Sequence, residues 1–207
     1  GYKSAGVNRL SIGVQSFQDR QLTALGRVHD AKQARAACDL AAGLFERFNI
    51  DLMHGLPNQD SDAALTDIRE GIERSGGHLS WYQLTIEPNT VFWSKPPSIP
   101  LEDTLAAIQD EGEAALISAG FEQYEVSAWA QPGQASQHNL NYWEFGDYLG
   151  IGAGAHGKMT DEAGRIRRTR RTRLPVDYLK AIRNGDAGHS ETLHAETLTA
   201  EFMLNAL

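Results

Sequence analysis

"RLSIGVQSF", residues 9–17, alternates strictly: Leu10, Ile12 and Val14 fall on one face, Ser11, Gly13 and Gln15 on the other. A period of two marks a β-strand. Downstream, "DAKQARAACDLAAGLFERF" (30–48) puts Ala34, Cys38, Ala41 and Phe45 at helical spacing behind Asp30, a good N-cap. "NIDLMHGLP" (49–57) predicts a second strand, closed by Gly55 and Pro57. Asp60 to Ser75 predict a helix ended by Gly76-Gly77, and "HLSWYQLTIEP" (78–88) a third strand stopped at Pro88. That order, β-α-β-α-β, is the rhythm of a parallel sheet with right-handed crossovers. The expected fold class is therefore α/β.

Beyond the third strand, "SKPPSIP" (94–100) reads as a linker-like loop and Leu101–Ala119 as a helix. "GFEQYEVSAWA" (120–130) predicts a fourth strand, and the glycine-rich stretch 146–157 a fifth. "RIRRTRRTR" (165–173) looks like an exposed strand, and "PVDYLKAIRNG" (175–185) a short helix with Pro175 in its first turn. The final "TLTAEFMLNAL" keeps helical spacing through Phe202, Met203 and Leu207 without a cap. With no Met at the start, this reads as a piece of a longer protein. Its outer strand would present an unpaired edge, which favours association.

Bulk properties exclude several classes. The 207 residues are 41% hydrophobic and 22% charged, so they can bury a core. A net charge of −8 argues against a nucleic-acid partner. No apolar run approaches the roughly 20 residues of a membrane span. The one cysteine, Cys38, rules out an internal disulfide framework and fits a reducing, cytoplasmic setting.

Ligands of parallel β/α folds gather at the carboxyl ends of the strands. Gln15 lies near the end of the first strand, Asp51 sits in an otherwise apolar second strand, and Thr85 and Glu87 follow the third. A carboxylate there is costly to desolvate unless it accepts hydrogen bonds, which ribose hydroxyls or local N–H groups could supply. Arg27, in "LGRVHD" (25–30), could clamp a ligand carboxylate or pair with Asp30. "PNQDSDAALTDI" (57–68) fits no calcium loop and is explained by helix capping from Ser61 or Asp62.

"GVNRLSIGVQSF", "LGRVHD", "NIDLMHGLP", "HLSWYQLTIEPNT", "GFEQYEVSAWAQPG", "HNLNYW" (138–143) and "YLGIGAGAHG" (148–157) occur in this order over nearly the whole chain. Together they resemble the oxygen-independent coproporphyrinogen III oxidase-like branch of the radical S-adenosylmethionine (SAM) superfamily, most closely its HemW-type heme chaperones. The resemblance implies a partial (β/α)6, TIM-like barrel with an α+β C-terminal extension. Residues 1–95 would be barrel strands four to six, and 96–207 the extension, truncated at its end. It implies that Gln15 and Asp51 contact the SAM ribose, that Arg27 binds the methionine carboxylate, and that Met53, Thr85 and Trp129 line the same pocket. The family's [4Fe–4S] cluster needs three closely spaced cysteines; they are absent here, and Cys38 reads as a buried packing residue.

"HNLNYW" is the pattern of the HemW branch, which implies heme binding through His138. On chemistry alone, a neutral imidazole can ligate iron, and Tyr142 and Trp143 offer flat apolar surface. The competing reading has Asn139 and Trp143 pinning a buried loop while His138 bonds to backbone. His156, in "GAGAHG", is a second candidate, with glycine neighbours that would let a ligand approach. The arginines of "RIRRTRRTR" could grip heme propionates or a membrane surface, although a solvated β-hairpin is the preferred reading. Expected partners are heme, heme-accepting proteins such as respiratory enzymes, a peripheral membrane contact and a second copy of the chain. The alternative function is an oxygen-independent coproporphyrinogen III oxidase of heme biosynthesis.

Overall fold

In the computed structural model, which describes residues 1–186 and 188–206, the chain forms two compact units, 1–135 and 136–207. The first follows the predicted rhythm. Strand β1 (Arg9–Gln15) leads through helix α1 (Asp19–Ala24) to helix α2 (Ala31–Leu44), then strand β2 (Arg47–His54), helix α3 (Ser61–Arg74) and strand β3 (His78–Gln83). Helices α4 (Val91–Ser94) and α5 (Glu102–Ser118) follow, then strands β4 (Glu122–Glu125) and β5 (Ala128–Ala130). β1, β2 and β3 run parallel; β5 and then β4 extend the same sheet antiparallel, giving the order β1-β2-β3-β5-β4.

Local chemistry sets the helix starts. Asp30 accepts from Gln33 N while the Gln33 side chain accepts from Asp30 N, a full capping box for α2. The cap of α3 is Asp60, which accepts from Ala63 N at 2.9 Å, and not the expected Ser61 or Asp62. Even-numbered β2 residues Phe48, Ile50 and Leu52 join Val14, Leu79, Trp81, Ile68 and Leu116 in a core between sheet and helices. The odd-numbered Asn49, Asp51 and Met53 take the opposite face.

Helix α5 lies against α3, and Gly112 lets it approach the sheet: a Cβ there would sit 2.1 Å from Trp81 Cη2. In an open helix Gly112→Ala would gain roughly 1 kcal/mol of propensity. Overpacking against a buried indole outweighs this, and a net loss of about 2 kcal/mol is expected. Urea unfolding measures it, and a stabilised variant would contradict the contact.

The boundary expected at residue 95 differs from the division between Ala135 and Ser136. The segment after Ser94 turns back: α5 packs on α3 and β5 pairs with β3. The single strand expected over 120–130 is a hairpin whose turn carries neither Gly nor Pro.

In the second unit, helix α6 (Gln137–Trp143) precedes strands β6 (His156–Thr160) and β7 (Ile166–Arg170), helix α7 (Pro175–Arg183), strand β8 (His189–Thr192) and helix α8 (Ala195–Ala206). The three strands form an antiparallel sheet, β6-β7-β8. The arginine-rich segment forms the expected hairpin, pairing with β6 across a tight turn, and β8 pairs on its other edge to make it the central strand of a small sheet. Leu207, the last residue of the helical pattern, lies outside the described residues.

Candidate functional site

Gln15 ends β1 with φ +70°, a left-handed backbone that a side-chain-bearing residue adopts only under constraint. The β1–β2 register slips at this point, between Gly13 and Gln15. The constraint comes from the buried carboxylate of Asp67 on α3, which accepts from Ser16 Oγ at 2.6 Å and from Phe17 N at 2.9 Å. Arg35 on α2 adds a bond to Phe17 O at 2.9 Å while held by Glu70. The turn after the strand is therefore fixed from two helices, and the Gln15 side chain is 4% exposed.

Asp51 pairs with Gly13 on one side and Ser80 on the other. Its carboxylate accepts from Asn49 Nδ2 at 2.6 Å and Ser11 Oγ at 3.2 Å, so it is already partly satisfied by neighbouring side chains. Arg27 is exposed in the loop between α1 and α2. Asp30, its suggested surface partner, is taken up capping α2.

Gln15 bonds to the phenol of Tyr82, and the charges of Asp51 and Arg27 bear on it. Its hydroxyl donates to Gln15 Oε1 at 2.8 Å. Burial raises its pKa, the Asp51 charge raises it further, and the Arg27 charge opposes them. Met53 pairs with Tyr82 across β2 and β3 on the face shared with Asp51. Asp51, Ser80, Tyr82, Thr85, Gln109 and Ser127 line an open cleft of about 770 Å³. Thr85 is exposed there, two residues past the end of β3, with its hydroxyl 3.3 Å from Glu87.

Trp129 is not brought to this group. It pairs with Leu79 across the antiparallel β3–β5 ladder, which turns its indole onto the core face, opposite Asp51 and Ser80. Four site residues escaped the sequence reading: Tyr82, Asn49, His78 and His54. The period of two was the available signal for the first three, since Asn49 shares the face of Asp51 and His78 and Tyr82 share that of Ser80. His54 ends β2 on the core side, 2% exposed, with its ring 4.2 Å from Trp81 and Nδ1 unpaired. Burial pushes its pKa down to about 4.

In the second unit, "HNLNYW" is helical and not a loop. Ser136 caps α6, and one turn sets the exposed His138 ring edge-on to Tyr142, 4.9 Å away at 83°. Tyr142 lies against Tyr148 at 4.6 Å. The glycine run packs closely on its own backbone: a Cβ on Gly150 would meet His156 O at 2.4 Å, and one on Gly157 would meet Gly150 N at 2.9 Å. On its other side His156 lines a cavity of about 320 Å³ together with Arg168, Arg170, His189 and Glu191. Arg165 pairs with Asp161, and Arg168 with Glu201 and Tyr148, leaving Arg167, Arg170 and Arg173 exposed.

The described residues do not suit an iron–sulfur cluster. Cys38 is buried on α2, where burial pushes its thiol up to about 11. Among the described residues no three His, Cys, Asp or Glu side chains gather as metal ligands.

No protein-family profile matches the chain. The heme chaperone HemW of Escherichia coli (strain K12) is 57% identical over 180 residues, 86% of this chain and 48% of the relative. The chain belongs to the HemW family. Beyond bacterial HemW, the mouse protein named radical S-adenosyl methionine domain-containing protein 1, mitochondrial, is 41% identical over 87% of the chain and 43% of its own length. The solved structure of coproporphyrinogen III oxidase (HemN) from Escherichia coli, a radical SAM enzyme, superposes with a TM-score of 0.79 over 99% of the chain and 50% of that structure. At 22% identity this likeness establishes the fold alone. The chain spans about half the length of the curated HemW relatives it matches.

Proposed function

We propose that the chain serves a heme chaperone, holding SAM at the strand ends of its first unit and heme at α6 of its second, for transfer to acceptor proteins such as respiratory enzymes in the cytoplasm. The observation that carries the SAM assignment is the Asp51 carboxylate lining an open cleft beside Tyr82, whose hydroxyl bonds to Gln15. Asp51 accepts from the ribose hydroxyls, Gln15 bonds the same sugar, and the Arg27 guanidinium forks onto the methionine carboxylate. Met53 and Thr85 border the nucleoside. A [4Fe–4S] cluster, if the protein holds one, takes its ligands from residues other than these. The 57% identity to HemW favours the chaperone over the oxidase.

Calorimetric titration with SAM tests the first site. Arg27→Gln is expected to weaken binding roughly tenfold, the value of one charge-assisted bidentate contact. No heat with the unsubstituted chain would overturn the assignment. At the second site His138 ligates iron while Tyr142 supports the ring. Hemin should produce a shifted Soret band that His138→Ala removes; an unchanged band would exclude His138. Contact with an anionic membrane through Arg167, Arg170 and Arg173, and self-association, belong to the same proposal. Vesicle co-sedimentation and sedimentation velocity read them out.

A further inference from the structure

Asn49 and His78 lie on the Asp51 face of the first sheet yet are 3% and 2% exposed. Asn49 Nδ2 is 2.6 Å from Asp51 Oδ1, 2.7 Å from Ser11 Oγ and 2.9 Å from Ser80 Oγ. Asn49 Oδ1 is 2.7 Å from His78 Nδ1, and His78 Nε2 is 2.6 Å from the Tyr124 hydroxyl. Four polar groups thus join strands β2, β3 and β4 in a single file.

Proton counting gives the file a direction. An ionised carboxylate only accepts, so Asn49 must turn its NH₂ toward Asp51. Its carbonyl then faces His78 and requires a proton from Nδ1. A neutral imidazole with Nδ1 protonated has a bare Nε2, which must receive the Tyr124 O–H. Neutrality is enforced: burial, then the charges of Arg9 and Arg47, push the His78 pKa down to about 4. Every donor therefore points the same way, from Tyr124 to the carboxylate.

A sheet face that needed only filling would be apolar, because each buried polar atom must find a partner. We propose that Tyr124, His78 and Asn49 are positioning residues that form a directed hydrogen-bond relay, holding the Asp51 carboxylate in the orientation that receives the ribose hydroxyls of SAM. The relay rests on the assignment of Asp51 to the ligand. It fixes the donor side of Asp51, and leaves the lone pairs facing the cleft for the sugar.

Two measurements separate the relay from the ligand assignment. Long-range ¹H–¹⁵N NMR of the chain labelled at histidine reads the tautomer of His78 without ligand. Protonated Nδ1 with bare Nε2 is expected, and protonated Nε2 would overturn the relay whether or not SAM binds. SAM titration then reads its purpose. His78→Asn keeps an amide N–H near the Nδ1 position and should hold affinity within about twofold, whereas His78→Leu should lose roughly tenfold, one oriented hydrogen bond to a charged group. Equal affinities for the two variants would overturn the positioning role. Should His78→Leu fail to fold, Tyr124→Phe decides: a severalfold loss supports the relay and an unchanged affinity overturns it. No SAM binding by the unsubstituted chain would overturn the ligand assignment and with it the relay's purpose.

Discussion

Lowering the pH from 7 to 4.5 should cost the first unit on the order of 4 kcal/mol of stability, a large part of a small domain's total. The cause is two buried histidines, His54 and His78, each held neutral with a pKa near 4 against an ordinary value of 6.5. Once unfolded, both imidazoles take a proton below about pH 6.5, while the folded chain leaves them bare until about pH 4. Stability is complete above the upper value and drains away as the pH falls through that window. Asp67 works in the other sense, because burial raises its carboxyl against the bonds from Ser16 and Phe17. His54→Phe should keep the stack on Trp81, lose no bond at Nδ1 and remove about half of the acid slope. Urea titrations at several pH values measure it, and an undiminished slope in His54→Phe would refute the account.

Removing the Asp67 side chain is the other large effect. Asp67→Ala leaves the Ser16 hydroxyl and the Phe17 N–H buried without their partner, at about 4 kcal/mol for the pair. The loss reaches the site as well, because these bonds hold the turn that keeps Gln15 in its left-handed conformation. SAM affinity should fall more than tenfold even though Asp67 lies outside the cleft. Asp67→Asn keeps one acceptor and should cost about half as much. A loss below about 1 kcal/mol on alanine substitution would show that the turn holds itself.

Much of the first sheet was legible because alternation and helical spacing are strong over seven or more residues. β1, α2, β2, α3 and β3 appear in the expected order, although α2 ends at Leu44 with Arg47 and Phe48 passing into β2, and β3 stops at Gln83, short of Pro88. The short elements α1, α4 and β8 have too few residues to show a period. The hairpin of β4 and β5 was hidden for a different reason. Val126 and Ser127 are ordinary strand residues, so nothing local announced the reversal that carries Trp129 to the core face. The helix over "HNLNYW" was signalled by Ser136, a cap three residues before Asn139, which the competing reading of a loop pinned by Asn139 and Trp143 left out. The face of Asp51 was readable from parity, whereas the place of Gln15, beyond a register slip and bonded to the Tyr82 hydroxyl, depends on register between strands.

Trp81 lies between the His54 ring and the bare Cα of Gly112. An imidazolium is an efficient quencher of indole emission and a neutral imidazole is not. The stack therefore converts protonation of His54 in the folded sheet, near pH 4, into a change of light output. Acid stress on this sheet can be followed optically in the unlabelled polypeptide, with His54→Phe as the dark-free control.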